Sequence, residues 1–284
     1  MARIALDAMG GDFAPRATIA GALHALSELD DSHIVQLVGQ TAAIEKQLTE
    51  FLTGELAGFA RVRDRIFLVE APDAISMSDK PTAALRSGSN NPMSVGLRLQ
   101  VDGLSDAFVS AGNTGAQMAA SALLLGRHAC LARPAIATLF PTVRRPLVVL
   151  DSGANVDCSP NELVQFAWLG SVYAEFVLGR HRPVVGLLSI GEEKEKGNST
   201  TKAAYPLFER AGLNFQGNVE GRDLLAGAND RGPIDVVVCD GFVGNIVLKF
   251  YEAVMPMIVA LLTADPAFDN VTLEAALAPL DSAS

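Results

Sequence analysis

Short apolar, β-prone runs alternate along the chain with longer amphipathic stretches, and polar, glycine-containing loops stand where the runs end. Residues 3–6 form the first run. Pro15 opens a helix with Ile19, Leu23 and Leu26 on one face, residues 34–38 form a second run closed by Gly39, a helix follows from about Thr41, and residues 66–69 form a third run. This β-α-β-α-β order predicts a parallel sheet with right-handed crossovers. Pro81 and Pro92 each suit the first turn of a helix. The second of these helices leads through Val95, Leu99 and Val101 to a short strand at 107–109 and then a helix at 116–125. Runs at 135–139 and 147–150 are joined by a short link, which predicts an antiparallel pair and hence a mixed sheet. An amphipathic helix at 161–178 carries Trp168, which is assigned to the core. A strand at 184–190, a helix capped by Thr200 or Thr201, a last strand at 233–239 and an apolar helix through 246–262 complete the pattern. Asp265-Pro266 is expected to end that helix; 271–277 reads as a short helical piece, and nothing after Leu262 reads as a returning strand.

The loops carry the chemistry. In residues 106–126 a short strand breaks into Ser110-Ala111-Gly112-Asn113-Thr114-Gly115 and a small-residue, Leu-rich helix follows. A strand, a glycine turn and a helix N-terminus direct backbone N–H groups and the positive helix end at one spot, which suits an anion such as phosphate. An ordinary βα turn, with Thr114 as the cap, explains the same residues. Five further strand ends repeat the theme: Asp7 to Asp12 with Gly10 and Gly11, the Gly39 turn, Asp151 to Asp157 with Asn155, Gly191 to Gly197 with Glu192 and Lys196, and Asp240 to Asn245. Turns alone do not require this repeated polar chemistry on one rim, so the pattern favours a phosphate-type site. Lys80 and Arg86, in a polar segment after the third strand, are the nearest candidate cations.

Composition narrows the classes. The 284 residues suffice for one large α/β domain or two smaller lobes, and a formal charge of −10 gives no support to nucleic-acid binding. Arg61, Arg63 and Arg65 form either a docking patch for an acidic carrier protein or a solvated surface. Cys130, Cys158 and Cys239 are widely spaced, as are the four histidines, so neither a metal site nor a histidine-based triad is indicated, and the cysteines read as reduced thiols. Lys249, Glu252 and Pro256 interrupt the most apolar run, which therefore does not read as a membrane-spanning helix.

In this order, LDAMGGD, MSDKP with the following Arg86, FVSAGNTGA, DSGANVDC, IGEEKEKG and VCDGFVGNIVLK closely resemble the bacterial phosphate acyltransferases of phospholipid synthesis, over residues 3–262. The resemblance implies a three-layer α/β/α sandwich with a mostly parallel sheet, related to phosphotransacetylases and to isocitrate/isopropylmalate dehydrogenases, with a C-terminal helical extension. It implies one domain over 1–284, with 246–284 a helical dimer and membrane-contact region. It further implies transfer of a long acyl group from acyl carrier protein to inorganic phosphate and delivery of acyl phosphate to a membrane glycerol-3-phosphate acyltransferase. No metal or nucleotide cofactor, a homodimer and a cytoplasmic location with peripheral membrane contact are implied as well. The family continues to a Gly-rich strand and a His-Gly-Ser-Ser-type turn that this sequence does not reach. The expectation is an unpaired sheet edge, a more open phosphate site and slow transfer.

Such chemistry needs no enzyme nucleophile, because a phosphate oxygen attacks the thioester. The site must hold the dianion, stabilise an oxyanion and exclude water. The candidate catalytic residues are Asn113 and Asn245 as oxyanion donors, Lys80 as a cation, and Asp240, with Glu192 second, at the departing thiol. Candidate phosphate and substrate contacts are Gly10, Gly11, Asp12, Arg86, Ser110, Gly112, Thr114, Gly115, Asn155, Asp157, Glu192 and Lys196. The competing readings are a short-chain phosphotransacetylase using coenzyme A, an isocitrate-type dehydrogenase and a non-catalytic phosphate- or acyl-binding protein.

Overall fold

The computed structural model describes residues 1–73 and 90–264. Lys80, Arg86, the helix expected from Pro81 and the segments expected after residue 264 lie outside the described residues. The chain divides into two compact units, Met1–Ala129 and Cys130–Ser284.

In the first unit, β1 (Arg3–Asp7), α1 (Arg16–Glu28), β2 (Ile34–Gly39), α2 (Thr41–Thr53), a 3-10 segment (Ala57–Arg65) and β3 (Ile66–Glu70) are followed by α3 (Pro92–Val101), β4 (Ala107–Val109) and α4 (Thr114–Leu124). The strands pair in the order β3-β2-β1-β4, all parallel, as the alternation predicts. Strand side chains point alternately to the two faces. Leu6, Val35, Leu37, Ile66 and Leu68 meet the inner faces of α1 and α2. Ala5, Val38 and Val69 meet Val95 and Leu99 of α3. Burying a leucine as fully as Leu37 contributes roughly 1.5–3 kcal/mol. Of the arginines weighed as a docking patch or a solvated surface, Arg63 bonds the Ile66 carbonyl and pairs with Glu45, Arg65 bonds the carbonyls of Leu26 and Asp30, and Arg61 bonds the Ser27 carbonyl. These arginines tie the 3-10 segment to the neighbouring helices.

The second unit contains β5 (Ala137–Phe140), β6 (Leu147–Leu150), α5 (Pro160–Phe176), β7 (Val184–Leu188), α6 (Ser199–Arg210), β8 (Asn214–Val219), α7 (Gly221–Ala226), a small hairpin of β9 (Ala228–Asn229) and β10 (Gly232–Pro233), β11 (Val236–Val238) and α8 (Gly241–Ala264). The main sheet runs β5-β6-β11-β7-β8. Only the β5–β6 pair in it is antiparallel, as the short link predicts. Val148, Leu150, Val185, Leu187, Val236 and Val238 pack on α5 and α6. Leu147, Val149, Val237 and Cys239 face the other way, toward Leu224 of α7 and Val243, Val247 and Tyr251 of α8. Each unit is therefore an α/β/α layering of its own.

Three expectations change. Trp168 is not core: it is 46% exposed. Helix α5 packs instead through Ala167, Gly170 and Ala174, and a β-carbon on Gly170 would lie 2.5 Å from Val236 Cγ1, so close approach by small residues turns the indole outward. Asn198 rather than a threonine caps α6, accepting from the Thr201 N–H at 2.8 Å. The segment expected as one strand at 233–239 is divided between the small hairpin and the three-residue β11.

Candidate functional site

In an open parallel sheet, ligands gather where neighbouring strands send their chains to opposite faces. Both units have such points; in the second, β11 makes one with β6 as well as with β7. In the first unit β1 leads to α1 on one face, and its neighbour β4 leads to α4, which packs with α3 on the other. In the second unit β7 leads to α6 on one face and its neighbour β11 leads to α8 on the other. The sequence-predicted residues lie at these points or beside them. Gly10, Gly11, Asp12, Ser110, Gly112, Asn113, Thr114 and Gly115 belong to the first unit, and Asn155, Asp157, Glu192, Lys196, Asp240 and Asn245 to the second.

At the β1/β4 point the polar groups satisfy one another. Ser110 Oγ donates to Asp7 Oδ2 at 2.7 Å, the Gly112 N–H donates to Ser110 Oγ at 3.0 Å, and the Met9 N–H donates to Asp7 Oδ1 at 3.0 Å. Asp7 is buried, and that burial raises its pKa above the usual carboxylate value, against the lowering effect of the Ser110 hydrogen bond. A β-carbon on Gly10 would come within 2.6 Å of Asp7 Oδ2 and 2.8 Å of the Gly112 nitrogen. Gly10 thus lets one loop press against the other, where the sequence reading gave it to the ligand. The Ser110 proton is likewise committed to Asp7, so Ser110 is a lock between loops and not a donor to phosphate. Asn113, not Thr114, is the N-cap of α4, with its Oδ1 accepting from the Ala116 N–H at 2.9 Å. The first-turn N–H groups of Thr114 and Gly115 belong to the set that an α-helix leaves without intrahelical carbonyls. Asp12 and Thr114 are exposed beside this turn.

The second unit has a hub that the sequence reading did not single out. Asp151, fully buried, accepts from the N–H groups of Ile136, Gly153, Ala154 and Asn155 and from Asn155 Nδ2. Asn155 Nδ2 also donates to the Pro134 carbonyl at 2.8 Å, so both its amide protons point inward and its expected contact with substrate gives way to a framework role. Gly241 and Gly244 press the start of α8 onto this loop: the Gly241 N–H donates to the Asn155 carbonyl at 2.7 Å, and a β-carbon on Gly244 would collide with the Asp151 carbonyl. Residues 241–245 are the first turns of α8, not a loop before it. Asp240 Oδ1 accepts from the Val243 N–H at 2.8 Å and so caps that helix. Asn245 is exposed and lies over Gly153.

Glu192 is held in a cluster: Arg231 Nη2 lies 3.1 Å from Glu192 Oε2, and Arg222 Nη2 3.8 Å from Oε1. This pairing, with Asn218 Nδ2 donating to the Glu193 carbonyl at 2.8 Å, anchors the charged loop. Lys196 and Asp157 are exposed. Burial pushes the Cys158 thiol up to about 11 and the Cys239 thiol further in the same direction, so neither is a nucleophile at neutral pH. Among the described residues no group of His, Cys, Asp and Glu has a metal-binding arrangement.

The family described as "Fatty acid synthesis protein" matches residues 2–280. A phosphate acyltransferase of Desulforamulus reducens is 48% identical over 261 residues, covering 92% of this chain and 74% of the relative. One from Salinibacter ruber is 48% identical over 252 residues, covering 88% of this chain and 71% of the relative. The chain belongs to this family. Among solved structures, the EutD phosphotransacetylase of Staphylococcus aureus superposes with a TM-score of 0.59 at 18% identity, covering 90% of this chain and 82% of that one. A phosphotransacetylase of Streptococcus pyogenes gives 0.59 at 16%, covering 89% and 82%. At these identities the structural likeness speaks for the fold alone, and it agrees with the expected α/β class with a mostly parallel sheet. The phosphate acyltransferase relatives carry the functional comparison.

Proposed function

We propose that this chain is a phosphate acyltransferase that makes acyl phosphate from a long-chain acyl-acyl carrier protein and inorganic phosphate. The observation that carries the proposal is the β4–α4 turn. Its loop is locked from behind by Asp7 and Ser110, so the N-terminal amides of α4 are held in place for a dianion. A phosphate oxygen attacks the thioester carbonyl, the carbon–sulfur bond breaks, and the thiolate takes the proton that hydrogen phosphate gives up. Thr114, Gly115 and the turn at Asn113 are assigned to phosphate, Asn245 to the developing oxyanion and Asp240 to the side of the departing thiol. Lys196, and the sequence-assigned Lys80 and Arg86, are the cations that offset the dianion. No cofactor is assigned to these steps.

Phosphate-dependent release of free carrier thiol from acyl-acyl carrier protein tests this reading. Acyl phosphate should accumulate in step with thiol. Thiol release independent of phosphate would refute it, and equal use of short-chain acyl-coenzyme A would move the assignment to the phosphotransacetylases.

The reading extends to a homodimer, a cytoplasmic location with peripheral membrane contact and hand-over of acyl phosphate to a membrane glycerol-3-phosphate acyltransferase. Helix α8 is long and apolar enough to cross a membrane by length and composition, yet Val243, Val247, Leu248 and Tyr251 pack on the sheet. Its exposed side carries Phe242, Ile246, Phe250, Met257 and Leu261, which suits an interfacial contact better than a span. Flotation with anionic liposomes should recover the protein, and no bound fraction at any anionic-lipid content would remove the contact.

A further inference from the structure

An apolar groove of about 290 Å³ lies between α7 and α8 in the second unit. Buried Phe140 forms its floor, Leu225 of α7 one wall, and Ile246, Phe250 and Val254 of α8 the other. Leu225, Ile246 and Phe250 are large apolar side chains left exposed along it. Every lining residue is apolar except Tyr251, whose hydroxyl already donates to the Pro141 carbonyl at 2.9 Å. Such a groove offers a ligand no charge and no open hydrogen bond, so it selects for buried methylenes alone.

The groove also has a direction. Gly221 opens α7 just past the end of β8, and Ile246 directly follows Asn245, so the mouth lies on the rim made by the carboxyl ends of the parallel strands. The far end is marked by Phe140, which pairs with Leu147 at the start of β6, and by Tyr251, tied to Pro141. From Ile246 to Val254 the helix rises ~12 Å. The volume takes about ten methylenes at ~30 Å³ each, the share of a water-sized group in a liquid. We propose that this groove receives the long acyl chain of the donor, with its first carbons at Ile246 and its later ones toward Val254, so that α7 and α8 set the chain-length preference. The source of the chain rests on the acyl-transfer reading, in which Asn245, the residue before the mouth, faces the acyl carbonyl. A lipid headgroup finds no partner along the groove, whereas an acyl donor keeps its polar end at the rim.

The test compares the wild-type chain with Val254→Trp, which shortens the far end, and Gly221→Phe, which plugs the mouth. A β-carbon on Gly221 meets no atom within 4 Å, so that variant adds bulk without a clash and carries the binding measurement should Val254→Trp fail to fold by circular dichroism. Fluorescence titration with parinaric acid, a long-chain polyene fatty acid, reads the groove by itself. Its affinity should fall about tenfold in each variant, the effect of returning about two methylenes to water. Transfer from hexadecanoyl- and octanoyl-acyl carrier protein reads chain length: the ratio of their kcat/KM values should shift about tenfold toward octanoyl in Val254→Trp. No saturable probe binding to the wild type, or equal affinity in wild type and folded variants, overturns the groove assignment whether or not acyl phosphate is made. A changed sedimentation coefficient beside that equal affinity gives the groove to a second copy of the chain. Weakened probe binding with an unchanged kcat/KM ratio overturns the assignment to the donor and gives the groove to membrane lipid chains. Variant-sensitive probe binding in a chain that makes no acyl phosphate supports an acyl-chain groove and overturns the acyl-transfer reading instead.

Discussion

The β1/β4 and β7/β11 ends are the same topological place in two sheets, and they are finished in opposite ways. At β1/β4 the side chains turn inward on one another. Asp7 accepts a hydrogen bond from the Ser110 hydroxyl, Ser110 accepts one from the Gly112 N–H, and Gly10 lets the loops touch. What remains for a ligand is backbone at the start of α4. At β7/β11 the framework bonds lie one strand away, in the Asp151 hub, and the switch point keeps a pocket of about 170 Å³ beside the shielded Ser189 hydroxyl, which has no hydrogen-bond partner among the described residues. A polar residue at a strand end is thus not by itself a ligand contact. Whether its hydrogen bonds are already spent decides its role.

Variants can break this contrast. The largest effect is expected at the α4 cap. Asn113→Leu removes the cap and crowds the phosphate turn, so kcat/KM for phosphate should fall by about a hundredfold or more, as for lost oxyanion-type donors. Stability should drop by only ~1 kcal/mol, the usual cost of a lost N-cap. Phosphate kinetics within twofold of wild type in the folded variant would take this turn out of the site.

The next effect is a pairwise difference. Ser110→Ala takes from the buried Asp7 carboxyl its one side-chain donor among the described residues and should cost about 1–3 kcal/mol in urea unfolding. Ser189→Ala removes a hydroxyl that has no hydrogen-bond partner among the described residues and should be neutral or slightly stabilising. Equal losses in the two variants would erase the distinction between a closed and an open switch point.

Much of this was legible in the sequence, and the parts that were not share a cause. The strand and helix alternation gave the parallel strands of the first unit, and the short link gave the antiparallel β5–β6 pair, because these are local signals; that the strands form two sheets and not one mixed sheet was not legible. The loops were located correctly at strand ends. Their internal wiring was not readable, since Gly10 against Gly112 and Ser110 against Asp7 are contacts between segments about a hundred residues apart. Strand β8, NFQGNV, was missed because it is a polar edge strand without an apolar run. Its buried Asn218 serves the charged loop instead. Trp168 was misplaced because aromatic size was weighed above the run of Ala167, Gly170 and Ala174 that brings α5 close to its sheet.

A smaller effect sharpens the picture of the closed point. Burial raises the Asp7 pKa, so the folded state holds its proton more tightly than the unfolded chain does. This contribution to stability is fully present below the ordinary carboxylate value and is lost as pH rises through the raised folded value. The melting temperature of Asp7→Asn should lack that decline, and the difference between variant and wild type should grow from pH 4 upward. Parallel curves would show that Asp7 carries no such burden. Asp106 behaves oppositely. The Arg3 side chain and backbone lower it to about 2, so its small contribution is present at neutral pH and disappears as pH falls from 3.8 toward that value.

The assignment of phosphate to the β4–α4 turn is tested most directly by one steady-state experiment. Phosphate-dependent thiol release is measured with both substrates varied, for wild type and Asn113→Leu. The account predicts that Asn113→Leu loses kcat/KM for phosphate by about a hundredfold with little change in the KM for the acyl donor. Unchanged phosphate constants, or a change confined to the acyl donor, would contradict it.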